Sequence, residues 1–255
     1  MSGIDSLFML AIACGILCTT VAELLPYAIR VAGQVAALEV YAAGFQVFVA
    51  FFARLFLLLV APLCGFAFES RILNLSQIEL ALGFSYVSSI AAITIFFIFL
   101  DKIFVFFANY VRLAEPTNTY FKMSIPIKAA RKSCSNDSID LKFDMLARHP
   151  SGPTNTRAFL LGGFFSGAFS SAIIPVIVIL ALSYPSYRLT IFAFGPLITF
   201  VGSFSNVVLV EKNLALNSQR KIPNAQFAFQ LRAGRLIGVT FSFGAFLALV
   251  TLDLA

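Results

Sequence analysis

Tryptophan is absent from this chain of 255 residues, histidine occurs once and cysteine four times. Charge is the scarcest resource: Asp, Glu, Lys and Arg make up 12% of the residues, against about 25% in ordinary soluble domains. A surface so poor in charge would not stay in water, which excludes a soluble enzyme and a disordered chain. Without tryptophan, the interfacial aromatic belt of a membrane protein falls to tyrosine. The single histidine, His149, stands in a polar stretch before Pro150 with no cysteine or carboxylate cluster near it, too little for a zinc site. Cys14 and Cys18 form CxxxC rather than the redox CxxC, and with Cys64 they lie in apolar runs; Cys134 does not. The three read as small buried hydrophobes. No GxxxxGK[ST], HExxH, GxSxG or paired haem histidines occur. Hydrolysis of a nucleotide at a P-loop is therefore excluded, and neither an enzyme nor a cofactor is expected.

What the chain has in quantity is apolar bulk: 60% hydrophobic residues, with 30 Phe, and a mean hydropathy of +0.92. A helical bilayer crossing takes about 20 largely apolar residues. Six runs qualify: residues 7–29, 41–68, 80–100 (with a possible continuation toward Val111), 158–182, 189–210 and 236–252. They are continuous rather than alternating and longer than the roughly 9–11 residues of a barrel strand. The expected fold is an all-α polytopic membrane protein forming a single transmembrane domain over residues 1–255. No basic segment precedes the first run, so that helix is expected to be retained.

Orientation follows from charge. Residues 112–157 hold eight basic and four acidic side chains, and residues 211–235 hold five basic and one acidic. Both segments fall on one face, which the positive-inside rule makes cytoplasmic. The net charge of +6 reports these two loops and not nucleic-acid binding. Both termini are then expected outside the cytoplasm, with Arg30 at the cytoplasmic side and Arg188 at the outer side. Within the first loop, Ile125-Pro126-Ile127 and residues 139–146 are mildly apolar pieces suited to a membrane surface. Pro150, Gly152 and Pro153 mark re-entry into the fourth run.

Several groups stand where lipid would not welcome them. Arg54 lies thirteen positions after Tyr41 and fourteen before Phe68, near mid-membrane in a straight helix. An arginine there costs about 2.5–3.5 kcal/mol on insertion scales, so it must meet a cavity, a counter-ion or a polar ligand. Gln46, eight residues earlier, shares roughly its face. Glu23 and Arg30 share a face of the first helix with Pro26 between them, a residue that removes a backbone bond and favours a kink. Glu23 needs a partner or a proton, and Arg54 is one candidate partner. Asp101-Lys102 reads as an interface marker where the third run ends. Gly163-x-x-x-Gly167, Ser170, Ser171 and Pro175 in the fourth run, and Gly195-Pro196, Gly202, Ser203, Ser205 and Asn206 in the fifth, suit close helix packing. Such clusters also mark bent helices that line cavities in transporters.

One resemblance joins these residues. Tyr27-Ala28-Ile29-Arg30-Val31-Ala32-Gly33, followed by residues 42–46, Ala53-Arg54 and Ala61-Pro62-Leu63, resembles the N-terminal signature of the Amj family. These are alternate, MurJ-independent lipid II flippases of bacteria. The family pattern is Tyr-Ser-x-Arg-x-Ala-Gly, then Ser-Arg, then Pro-Leu before an acidic residue, which Glu69 would supply. Pro185-x-Tyr187-Arg188-x-Thr190 opens the fifth run, which ends at the acid Glu211. Ala28 and Ala53 stand where serines are usual, and Glu211 lacks the accompanying Asp-Pro. The resemblance implies a translocator of the peptidoglycan precursor lipid II in the bacterial inner membrane, with lipid II and membrane lipids as its partners. Substrate contacts are then expected at Arg30, Arg54, Arg188 and Gln46, since arginine grips pyrophosphate bidentately. Counter-charge or coupling falls to Glu23, Glu69 and Asp101. Two other classes remain open: a structural subunit of a membrane complex, and an ion-coupled transporter of a small anion. An enzyme acting on isoprenyl phosphates would lack a catalytic constellation.

Overall fold

The computed structural model describes residues 3–117, 124–134, 156–219 and 227–253. The side chain of Arg54, and the expectations placed on residues 139–146, His149, Pro150, Gly152 and Pro153, lie outside the described residues. All regular structure among the described residues is helical. The helices are α1 (Gly3–Ala36), α2 (Glu39–Glu69), α3 (Leu75–Ile98), α4 (Leu100–Ala114), α5 (Ser124–Cys134), α6 (Thr156–Phe169), α7 (Ile174–Ser183), α8 (Arg188–Ser205), α9 (Lys212–Gln219) and α10 (Ala228–Asp253). Five stretches are long and apolar enough to cross a membrane: Ile4–Ala36, Leu75–Ile98, Thr156–Ser183, Pro185–Asn217 and Gln230–Leu252. α2 covers the remaining expected run, residues 41–68, as one helix of 31 residues.

Local chemistry explains the turns. α1 and α2 form a tight hairpin. Ala37 takes φ 59°, the Leu38 N–H donates to the Gly33 carbonyl at 2.9 Å, and a Cβ at Gly33 would collide with Ala42. α3 opens with a reciprocal cap. The Asn74 side chain accepts from the Gln77 N–H, and the Gln77 side chain accepts from the Asn74 N–H, both at 2.9 Å. Two backbone donors that would otherwise be orphaned are thereby satisfied. Pro26 leaves α1 as one continuous helix.

Three expected runs are subdivided. The third turns at Phe99, after which α4 packs on α1 and α5. Asp101 and Lys102 are exposed in the first turn of α4, where a carboxylate complements the helix dipole. The fourth run breaks into α6, a 3₁₀ turn Ser171–Ile173, and α7. Pro175 opens α7 and has no N–H to continue the ladder. The Ala172 carbonyl accepts instead from the Tyr86 hydroxyl and, at 2.8 Å, from the Ser242 hydroxyl. The fifth run carries Pro196 inside α8 and a π-helical turn, Asn206–Glu211, before α9. The sixth starts earlier than residue 236, so α10 takes Arg232 and Arg235 into the helix.

α6 and α10 cross at backbone contact. A Cβ at Gly163 would run into the Leu231 carbonyl and one at Gly167 into that of Arg235. Reciprocally, Gly234 would meet the Leu160 carbonyl and Gly238 that of Phe164. Two small-xxx-small motifs thus interlock, the expected role of Gly163 and Gly167. Ile125-Pro126-Ile127 begins α5, a helix docked on α4, with Ile125 buried and Ile127, Lys128 and Arg131 turned outward.

Candidate functional site

α8 is the most loosely held of the long helices. Phe194, Leu197 and Phe204 are all more than half exposed away from the two cavities, as suits lipid. Its inner side borders two cavities. The first, about 480 Å³, is bordered by α1, α2, α6, α8 and α10, and its wall includes Glu23, Gln46, Ser166, Ser170, Ser203, Asn206, Glu211 and Arg235. The second, about 600 Å³, lies among α2, α7 and α8. It is walled by Pro62, Gly65, Phe66, Ile174, Ile177, Val178, Phe192 and Gly195, with Glu69 at its end. Pro196 and Thr199 line both, so the two cavities adjoin along α8; together they make up the cleft. From Phe192 to Glu211 the cleft follows about 28 Å of helix at 1.5 Å per residue, close to the hydrocarbon thickness of about 30 Å.

The irregularities of the backbone sit on this cleft. Pro196 lacks the N–H that a regular helix would use, and Thr199 turns its hydroxyl onto the Gly195 and Pro196 carbonyls at 3.1 and 3.0 Å. The π turn carries Asn206 and Glu211 to the wall of the polar half. At the break after α6, the Ser170 hydroxyl reaches the Ser166 carbonyl and the Glu23 Oε2, the latter at 2.9 Å. Irregular helix inside a membrane is tolerated where it is buried in protein or lines a cavity, and short π segments recur at functional sites.

Three ion pairs are spaced along the cleft. In its middle, the Arg235 guanidinium holds the Glu23 carboxylate and also donates to the Glu23 backbone carbonyl at 3.1 Å. The two side chains are 11% and 18% exposed, which makes this a largely desolvated pair. At one end, Gln46 donates to the Glu211 Oε1 at 2.9 Å and accepts from Arg30 at 3.5 Å. Arg30 stands 3.7 Å from the Glu211 Oε2. A charge-assisted bond closes to about 2.7–2.9 Å, so Arg30 is only loosely engaged while Gln46 fixes the carboxylate. At the other end, Arg188 pairs with Glu69 and lies 5.9 Å from the Phe68 ring centre. Its buried Nε has no hydrogen-bond partner among the described residues.

Of the residues singled out from sequence, Arg30 and Gln46 share one cluster, Glu23 lines the same cavity, and Arg188 and Glu69 meet at the far end. Asp101 sits apart from the cleft wall, exposed at the start of α4. Sequence reasoning left Arg235 and Arg232 in a loop. Arg232 is 3% exposed, donates to the Phe96 carbonyl at 3.2 Å and lies 4.6 Å from the Phe96 ring centre. The available signal was the pair Gly234 and Gly238, whose spacing suits the packing face of a helix that already runs through residue 235. Glu211 stood out only as the acid ending the fifth run. Its link to Gln46 spans 165 positions, beyond any local pattern. The described residues hold no cluster of three or more His, Cys, Asp or Glu suited to a metal ion. Comparison of the chain with protein-family models, with curated proteins and with solved structures gives no match.

Proposed function

We propose that this protein translocates an amphiphile with an anionic head across a membrane. Lipid II in the bacterial inner membrane is the substrate that the Amj-like segments suggest. In this reading α2 is a sixth crossing, both termini are extracytoplasmic, and residues 112–157 face the cytoplasm together with residues 212–227, the part of the second basic segment that precedes α10. One observation carries the proposal: two adjoining cavities along the lightly packed helix α8, together of about membrane-spanning length, one with Glu23, Gln46, Glu211 and Arg235 on its wall and the other with few polar side chains.

The chemistry of the polar half supports an anionic head. An incoming pyrophosphate first meets Arg30, whose bond to Glu211 is long, and displaces that carboxylate while Gln46 keeps hold of it. The head then has the hydroxyls of Ser166, Ser170 and Ser203 and the Asn206 amide before it. Hydroxyls and amides give the sugar–peptide part hydrogen bonds in place of lost water. The pair Glu23–Arg235 offers a second exchange, the head taking the guanidinium and Glu23 keeping the Ser170 hydroxyl. Arg188 and Glu69 form a third pair at the opposite end of the cleft.

The same pairs favour a second reading, a structural subunit without a substrate, because Arg30, Arg188 and Arg235 each have a carboxylate partner within the chain. Expression in cells depleted of their main lipid II flippase separates the two. Survival with continued peptidoglycan synthesis is the expected result. Lysis despite normal membrane accumulation would overturn the translocator reading.

A further inference from the structure

We propose that the apolar half of the cleft binds the hydrocarbon chain of the translocated amphiphile, so that protein, and not bulk lipid, holds the chain while the head is in the polar half. The inference rests on the translocator reading and deepens it by assigning a chain-binding site.

The first argument is continuity. Pro196 and Thr199 belong to both walls, so a molecule whose head reaches Asn206 and Glu211 has the apolar half next to it on the far side of Thr199. The second is polarity. The head-binding end lies with Arg30 and Glu211 and the chain-binding end with Glu69 and Arg188. An amphiphile in this cleft therefore stands as it would in the leaflet on the Arg30 side, head outermost and chain toward mid-membrane. The third is the wall itself. At about 600 Å³ the apolar half falls within the range of about 300–1,000 Å³ typical of ligand sites. Three of its residues, Ile177, Val178 and Ile174, are core residues of α7, which gives the groove a packed floor opposite α8. A wholly polar solute would gain nothing from this half. Each methylene buried there adds affinity.

Gly65 makes the idea directly testable. It lines the apolar half, and a Cβ built on it meets nothing within 4 Å. A leucine at this position starts from an unobstructed Cβ and extends its side chain into the groove. Gly244, on α10 and equally open, is the matched control away from the cleft. The absence of native tryptophan leaves a silent background for one reporter, Phe192→Trp, in the groove wall. The full chain carrying this reporter is placed in nanodiscs of unbrominated phospholipid and titrated with a terminally brominated undecyl phosphate. Saturable quenching that unbrominated dodecyl phosphate reverses is expected. Adding Gly65→Leu should raise the half-quenching concentration at least tenfold, and Gly244→Leu should leave it unchanged, with all variants melting at similar temperatures.

Quenching that is unsaturable, or equal with and without Gly65→Leu, would overturn the proposal. So would quenching by brominated bulk phospholipid that dodecyl phosphate fails to reverse. In flippase-depleted cells rescued by the wild type, Gly65→Leu should fail to rescue; full rescue by it removes the chain site and leaves the translocator reading standing. If the wild type fails to rescue while the Gly65-sensitive quenching persists, the translocator reading falls and the chain site stands.

Discussion

At the scale of the residue, the Glu23–Arg235 pair is the most demanding feature of the molecule. Both groups are mostly out of solvent, and removing one partner of such a pair costs about 3–5 kcal/mol, because the other is left desolvated. Arg235→Leu should therefore lower stability by that amount, read by thermal unfolding in detergent. Replacing both partners by apolar residues of similar volume is often neutral or better. The double substitution Glu23→Leu with Arg235→Leu is expected to recover most of the stability and none of the rescue of flippase-depleted cells. Recovery of both would make the pair a purely structural lock. Arg54 belongs to this scale too. Its depth in the second apolar run makes Arg54→Ala a test of transport: loss of lipid II translocation with normal membrane insertion is expected. Glu23 and Arg54 stand out in the sequence because a charge inside an apolar run has no local excuse. Arg235 does not, because it borders the run and resembles one more cation of a basic loop.

At the scale of the element, the glycines separate into two kinds. Gly163, Gly167, Gly234 and Gly238 sit where α6 and α10 touch through backbone, and any Cβ there meets a carbonyl. Alanine at each should destabilise by about 1–3 kcal/mol, the usual cost of overpacking. Gly65→Ala and Gly244→Ala meet open space and should be neutral or stabilising by up to about 1 kcal/mol from helix propensity. A panel of melting temperatures distinguishes the two kinds. The helices themselves were legible in the apolar runs, and so was the packing role of Gly163 and Gly167. Where the runs break was less so. Pro175 announces the end of one segment and the start of another, yet only the Tyr86 and Ser242 hydroxyls, placed by α3 and α10, make a gap at Ala172 affordable. The π turn at Asn206–Glu211 has no composition signal at all.

At the scale of the whole molecule, the ends of the cleft report opposite faces. Arg30, Gln46 and Glu211 gather at one, Glu69 and Arg188 at the other. Along α2, residues 46 and 69 are about 35 Å apart at 1.5 Å per residue, enough to separate two membrane surfaces. Single cysteines at Glu69 or Arg188, in a chain freed of its native cysteines, should react with a membrane-impermeant maleimide in intact cells. Cysteines in residues 112–157 should react only after permeabilisation. The reverse pattern would invert the orientation drawn from the basic loops.

By itself the sequence determined the solvent and the elements: apolar runs of bilayer length leave helices as the economical way to satisfy backbone groups in lipid, and scarce charge leaves little surface for water. It also marked the individual groups that lipid would reject. Tertiary structure alone decided how those groups are shared out. Glu23 meets a guanidinium 212 positions away, and Gln46 an acid 165 positions away. Such distances along the chain are closed only by helix packing, and helix packing here is set by where backbones can approach. The cleft lies along α8, which carries Pro196 and the π turn and touches the backbone of α6 at Gly202, whereas α6 and α10 close on each other through Gly163, Gly167, Gly234 and Gly238.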